Sequence, residues 1–236
     1  MTDLPEILLT PLYTLSEAAG LVGIPVGTLR AWARGRDFPS SSGAALHSEP
    51  LVTDAGARHA RVPTMPFVGI AEAAFLAAVR STGVPMQRIR PALEKLRDDL
   101  GVEHALASEL LYTDGAELLR RVGKASGASE RDMEFVVVRN DQGVFTPVVL
   151  DYLTKVRFGA TGYAEAIRLP KYGEADVIVD PRFGFGQPVL ESNGVRVETI
   201  LERFSAGESI LDLADDFATP AAVIEQLLRA SRPLAA

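Results

Sequence analysis

Apolar positions along this chain recur with helical spacing at both ends and with a weaker, shorter period between them. In "YTLSEAAGLVGIPVGTLRAWARG", Leu15, Ala18, Ala19 and Val22 return at intervals of three or four, and so do Val26, Leu29, Trp32 and Ala33. Thr14 and Glu17 stand at the spacing of a capping box, which predicts a helix starting there. Gly23-Ile24-Pro25 ends it, because Gly suits a C-terminal cap and Pro cannot continue a helix. A second helix follows at once, with Arg30 and Arg34 four apart on a face separate from the apolar one.

Further on, "EPLVTDAGARHARVPTMPFVG" reads as a strand at Leu51 to Thr53, a turn at Asp54 to Gly56 and a second strand near Arg61 to Pro63, a small wing with Arg58, His59 and Arg61 at its tip and return. An Ala-rich helix from Ile70 to about Thr82 and a helical segment kinked near Pro91 come next, with Leu76, Val79, Leu93 and Leu96 as positions for subunit pairing or for burial within the chain. "LYTDGAELLRRVG" suggests a short strand and a helix. "MEFVVVRNDQGVF" suggests a hairpin turning at Asn140 to Gly143, and "TPVVLDYLTKVRF" a helix with Val149, Tyr152, Leu153 and Val156 inward. "GYAEAIRLPKYGEADVIVDPRFGFGQPVL" supplies two or three extended pieces.

Helical spacing returns at the end. Val197, Ile200, Leu201 and Phe204 mark one helix closed by Gly207. Ile210, Leu213, Ala214 and Phe217 mark a second capped by Ser209. Val223, Ile224, Leu227 and Leu228 mark a third after Thr219-Pro220. The pattern is that of a mainly α chain with small β elements, an α+β class. It reads as a winged helix-turn-helix domain over residues 1–110, a mixed connecting region over 111–174 and a small three-helix domain over 175–236.

Charge refines this division. The net charge of −7 is uneven: residues 1–110 carry −2, 111–174 are neutral and 175–236 carry −5. Contact with nucleic acid therefore has to rest on a local cationic face, not on the whole molecule. Two short helices joined by a tight turn, with apolar anchors inside and arginines outside, fit a DNA-reading helix-turn-helix. In the terminal bundle, Glu198, Glu202, Glu208, Asp212, Asp215, Asp216 and Glu225 oppose phosphate contact, so pairing or partner binding is the stronger expectation there. Cysteine is absent, which excludes disulfides, thiolate metal sites and cysteine nucleophiles. No apolar run is long enough to span a bilayer, and "MTDLPEILLT" has no leader pattern, so the expected location is the cytoplasm.

Enzyme chemistry finds little support. His47, His59 and His104 lack metal-ligand spacing and read as surface or packing residues. There is no Gly-x-Ser-x-Gly elbow or phosphate loop with Lys, and "GFG" is followed by Val189 where a third dinucleotide-loop glycine would be needed. Asp98-Asp99 and Asp215-Asp216 are adjacent on helices, so their side chains diverge. The expectation is a protein without catalytic residues, metal or cofactor.

The order helix, turn, helix "TLRAWAR", wing and long helices resembles the winged DNA-binding domain of MerR-type regulators. In that family the second helix enters the major groove and the wing follows the backbone, which implies Thr28, Arg30 and Arg34, with Arg36, Arg58 and Arg61, as contacts. The stretch "DFPSSSGAALHSE" is longer and richer in Ser than the compact MerR pattern. The C-terminal run "VIVDPRFGFGQPVLESNGVRVETILERFSAGESILDLADDF" resembles a small antitoxin-type domain of unknown function through Gly186-Gln187-Pro188, Gly194-Val195-Arg196-Val197 and Gly207-Glu208-Ser209. Nearly the whole chain is similar to VapB-family antitoxins of the long, two-domain kind. That resemblance implies operator DNA, a VapC-type ribonuclease of the PIN-domain class and a homodimeric state. Inhibition could come from an Arg reaching the nuclease carboxylates, with Arg229 and Arg232 as candidates, or from the acidic bundle face covering an RNA groove. The alternatives are a MerR-like stand-alone regulator, its ligand pocket lined by Tyr152, Phe158, Tyr163 and Tyr172, and a scaffold module without DNA binding.

Overall fold

The structure is a computed structural model that describes residues 4–39, 45–56, 62–81, 101–113 and 154–231, with 137–138, 144–145 and single positions at 86, 90, 93, 97, 98 and 152. It divides into two compact units, Met1–Ala164 and Glu165–Ala236.

In the first unit a short helix α1 (Glu6–Leu9) leads into strand β1 (Pro11–Tyr13) and the helix pair α2 (Leu15–Val22) and α3 (Val26–Arg34). Both halves of the capping box form. The Thr14 hydroxyl accepts from the Glu17 amide at 3.2 Å, and the Thr14 amide donates to Glu17 Oε2 at 2.8 Å. Gly23 closes α2 at φ 77°, and its amide donates to the Ala19 carbonyl at 2.9 Å. Leu15, Ala18 and Ala19 from α2 and Leu29, Trp32 and Ala33 from α3 are buried.

Strands β2 (Arg36–Pro39) and β3 (Ala45–Ser48) then pair antiparallel, and β4 (Met65–Pro66) pairs with β1 and runs into α4 (Phe67–Ser81). α4 packs against α1 and α2 and against a 3-10 turn at Ala105–Ala107. It is buried on nearly every side, and Gly69 shows why a glycine stands in it. A Cβ there would lie 2.2 Å from the Thr53 carbonyl oxygen and 2.4 Å from Met65 Sδ.

The hairpin after α3 is therefore built from 36–39 and 45–48, the Ser-rich stretch, while 51–53 and 62–63 form no strand. Leu51 to Thr53 form no strand, because other groups take their backbone donors. The Leu51 and Val52 amides donate to the Trp32 carbonyl at 2.7 and 3.2 Å, and the Thr53 amide donates to Glu72 Oε2 at 2.6 Å. Val62 and Pro63 are irregular as well, and residues 57–61 lie outside the described ones. Of the positions considered for subunit pairing, Leu76, Val79 and Leu93 are buried within the chain, which accounts for their apolar character; Leu96 and the bend at Pro91 lie outside the described residues.

Two further expectations change. Leu110–Thr113 is helical (α5) where a strand was expected to begin. Val156–Phe158 is a strand (β7), so Val156 does not continue the helix that Tyr152 belongs to. The anticipated hairpin has its flanks in β5 (Val137–Val138) and β6 (Val144–Phe145), paired as Val137 with Phe145 and Val138 with Val144. Its turn lies outside the described residues.

The second unit begins within β8 (Ala164–Arg168), which is followed by a 3-10 segment at Pro170–Ala175 and then β9 (Val177–Val179) and β10 (Val189–Leu190), with β9 paired antiparallel to both β8 and β10. Helices α6 (Val197–Ser205), α7 (Ile210–Asp216) and α8 (Ala221–Ser231) pack on one another through Ile200, Leu213, Ile224 and Leu227, all fully buried. Ser209 caps α7 by accepting from the Asp212 amide at 3.2 Å. Phe204 does not turn inward as its spacing suggested. It stays 39% exposed.

Candidate functional site

Helix α3 carries two cationic side chains of the first unit, Arg30 and Arg34. With Leu29, Trp32 and Ala33 turned into the core, its 3.6-residue repeat leaves Gly27, Arg30 and Arg34 on the solvent side. Both ends of the helix are tied down. Near the start, the Thr28 hydroxyl accepts from Arg80 Nη1 of α4 at 3.1 Å. Near the end, the Trp32 carbonyl takes two amides from the crossing segment 51–54, and Arg34 Nε donates to Asp54 Oδ2 at 3.1 Å. The Asp54 side chain is only 1% exposed, so this ion pair anchors the segment beneath the helix.

A buried polar cluster holds the same segment from behind. Glu72 of α4 accepts from the Thr53 amide and lies 3.3 Å from His104 Nδ1, which in turn sits 2.9 Å from the Thr53 hydroxyl. His104, expected to be a surface or packing residue, is a hydrogen-bonded strut. Two arginines farther along the chain strap the residues just before it: Arg90 Nη1 donates to the Glu49 carbonyl, and Arg97 Nη1 to the Pro50 carbonyl at 3.2 Å.

Among the six residues expected to touch DNA, Arg30 has no hydrogen-bond or ion-pair partner among the described residues and stands exposed midway along α3. Thr28 and Arg34 share the helix but are engaged by Arg80 and Asp54. Arg36 opens β2 opposite Ser48. Arg58 and Arg61 lie outside the described residues. Arg80 escaped the sequence reading, since nothing in its local pattern brings the last turn of α4 beside the first turn of α3. The hairpin did leave a signal: "RDFP" and "ALHS" flank a Ser-Gly cluster of the kind that turns a hairpin.

In the second unit a few acids of the helices are paired with arginines. Arg203 Nε reaches Glu208 Oε1 at 2.7 Å and Oε2 at 2.9 Å, its Nη2 meets Asp216, and its guanidinium lies 4.9 Å from the Phe217 ring centroid. These hydrogen bonds, Glu208 first and Asp216 second, push the already high pKa of Arg203 upward. Arg229 pairs with Glu225 one turn earlier at 2.7 Å, and Arg232 lies outside the described residues.

A cavity of about 830 Å³ in the first unit is lined by Glu103, His104, Ser108, Thr161 and Tyr163, among others. Of the four aromatics considered for a ligand pocket, Tyr163 alone lines it. Tyr152 instead spends its hydroxyl on the Ala71 carbonyl at 3.0 Å and its ring edge on Phe75.

Set against known proteins, this architecture separates into two recognised parts. Residues 11–93 match the family described as "Putative DNA-binding HTH domain", and residues 177–229 match that described as "Protein of unknown function (DUF433)". The class is thus a helix-turn-helix domain followed by a DUF433 domain. "Putative antitoxin VapB45" of Mycobacterium tuberculosis is 44% identical over 214 residues, 88% of each chain, and this chain belongs to that family, the long two-domain VapB antitoxins. The crystal structure of Rv2018 from Mycobacterium tuberculosis is similar with a TM-score of 0.80 and 39% identity, covering 93% of this chain and 98% of that one. "Uncharacterized protein Rv2308" from the same organism is 26% identical over 210 residues, 87% of this chain and 83% of its own length. Among the described residues, no helix is long and apolar enough to cross a membrane.

Proposed function

We propose that this chain is the antitoxin of a type II toxin-antitoxin pair, with one task for each unit. The first unit, acting as a homodimer, sets α3 into successive major grooves of its own operator and represses transcription. Arg30 reads bases or phosphate, and Arg34 and Thr28 hold the helix in place. Arg36, Arg58 and Arg61 add backbone contacts from the hairpin and the segment after it. The second unit binds and silences a VapC-type PIN-domain ribonuclease in the cytoplasm, with Arg229 and Arg232 as candidates for reaching its metal-binding carboxylates.

The observation that carries the DNA half is the exposed Arg30, without a partner among the described residues, on a helix tethered at both ends within the part of the chain that matches a DNA-binding family. The antitoxin half rests on the 44% identity to "Putative antitoxin VapB45". Co-purification with the product of the adjacent ribonuclease gene, followed by an RNA cleavage assay, tests the second task. Promoter-fragment binding across a salt series tests the first. A stable complex that suppresses cleavage establishes the antitoxin role. Promoter binding without any complex would leave a stand-alone regulator.

A further inference from the structure

Between β9 and β10 the segment "DPRFGFGQP" turns with an unusual backbone. Gly184, Phe185 and Gly186 take φ values of 56°, 56° and 77°, so three successive residues are left-handed. Glycine accepts this readily. Phenylalanine does not, because its Cβ crowds the following carbonyl oxygen. The surroundings enforce it. Asp180, fully buried, accepts from the Arg182 amide at 2.9 Å and from its Nε and Nη2 at 2.9 and 2.7 Å. The Phe183 amide donates to the Asp180 carbonyl at 3.0 Å, and Gln187 closes the turn on the Gly184 carbonyl at 3.0 Å. Gly184 is pressed so closely that a Cβ would lie 2.8 Å from Val189 Cγ1.

This strained turn does not bury the aromatic ring. Phe185 is 85% exposed, the most exposed large apolar side chain among the described residues, and Phe183 beside it is 51% exposed. In the free chain the backbone strain opposes folding, and the hydrated ring contributes almost nothing against it. Insertion of the ring into an apolar pocket supplies that missing burial, and buried aromatic anchors of this kind dominate protein interfaces. The surrounding charge selects the partner. Residues 165–236 hold seven cationic and twelve acidic side chains, a net −5. The cations flanking the turn, Arg182 and Arg196, are paired with Asp180 and Glu165 and with Glu198. The pocket's rim should therefore be cationic, as is the surface of a protein that holds RNA.

We infer that Phe185, supported by Phe183, is the anchor with which the second unit docks on its ribonuclease partner. This inference rests on the antitoxin reading. The test compares the full-length chain with its Phe185→Gly variant. That change removes the ring and relieves the strain, so the variant should melt at the same temperature or higher. Binding to the purified product of the adjacent ribonuclease gene is measured by calorimetry. The inference expects a loss of about thirty-fold or more in affinity, with promoter binding unchanged.

Affinity within about three-fold of the original chain would overturn the anchor and leave the antitoxin reading standing. No complex even with the original chain would remove both. A lower melting temperature would show that the ring serves the fold. A shift of the free chain from dimer to monomer would reassign the turn to self-association.

Discussion

Arg30 and Arg34 look alike in the sequence and differ in what lies beside them. Arg30 has no partner among the described residues, so Arg30→Ala should weaken promoter binding and lower the slope of log affinity against log salt by about one. Arg34 is committed to a buried carboxylate, so Arg34→Ala should cost about 2 kcal/mol in urea unfolding, with half-exposed Arg34 already discounted. Gly69→Ala should cost about 3 kcal/mol, because the Thr53 carbonyl it would strike is fixed backbone. Burial, followed by the nearby Glu103, pushes the Tyr163 phenol above its ordinary pKa of 10.0. The fold thus favours the neutral form: this contribution is complete below pH 10 and is withdrawn as the pH rises further. Tyr163→Phe should flatten that alkaline decline in a pH series of unfolding midpoints.

At the scale of elements, what was legible in the sequence is what neighbours in the chain decide. Thr14 and Glu17 satisfy each other three residues apart, and Ser209 meets Asp212 at the same distance, so both helix starts could be read directly. Thr14→Ala should lower stability by about 1 kcal/mol in the same unfolding assay. No strand forms at Leu51, Val52 and Thr53 despite their strand-like side chains, because their amides are claimed by Trp32 and Glu72, distant in sequence. The switch from helix to β7 was missed for a related reason. Val149, Tyr152, Leu153 and Val156 keep helical spacing, while Val156 to Phe158 also alternate as a strand does, and local pattern alone does not mark the handover. The contact between Arg80 and Thr28 was invisible for the same cause: only the packing of α4 against the helix pair brings them together.

Across the whole molecule, chemistry is split between the units. The exposed Arg30, without a partner among the described residues, belongs to the first unit, and the exposed phenylalanines with net negative charge belong to the second. Changes to one surface should therefore spare the other task. Arg30→Ala, defective on the promoter, should still quench the ribonuclease fully in the cleavage assay. The tethering of α3 also sets how the domain opens in time. With Arg80 and Thr28 joined at one end and Asp54 with the 51–52 amides at the other, this helix cannot fray alone. Its amides should trade hydrogen for deuterium only when α4 and the crossing segment let go together. α3, though nine residues long and on the surface, would then exchange as slowly as the buried helix behind it.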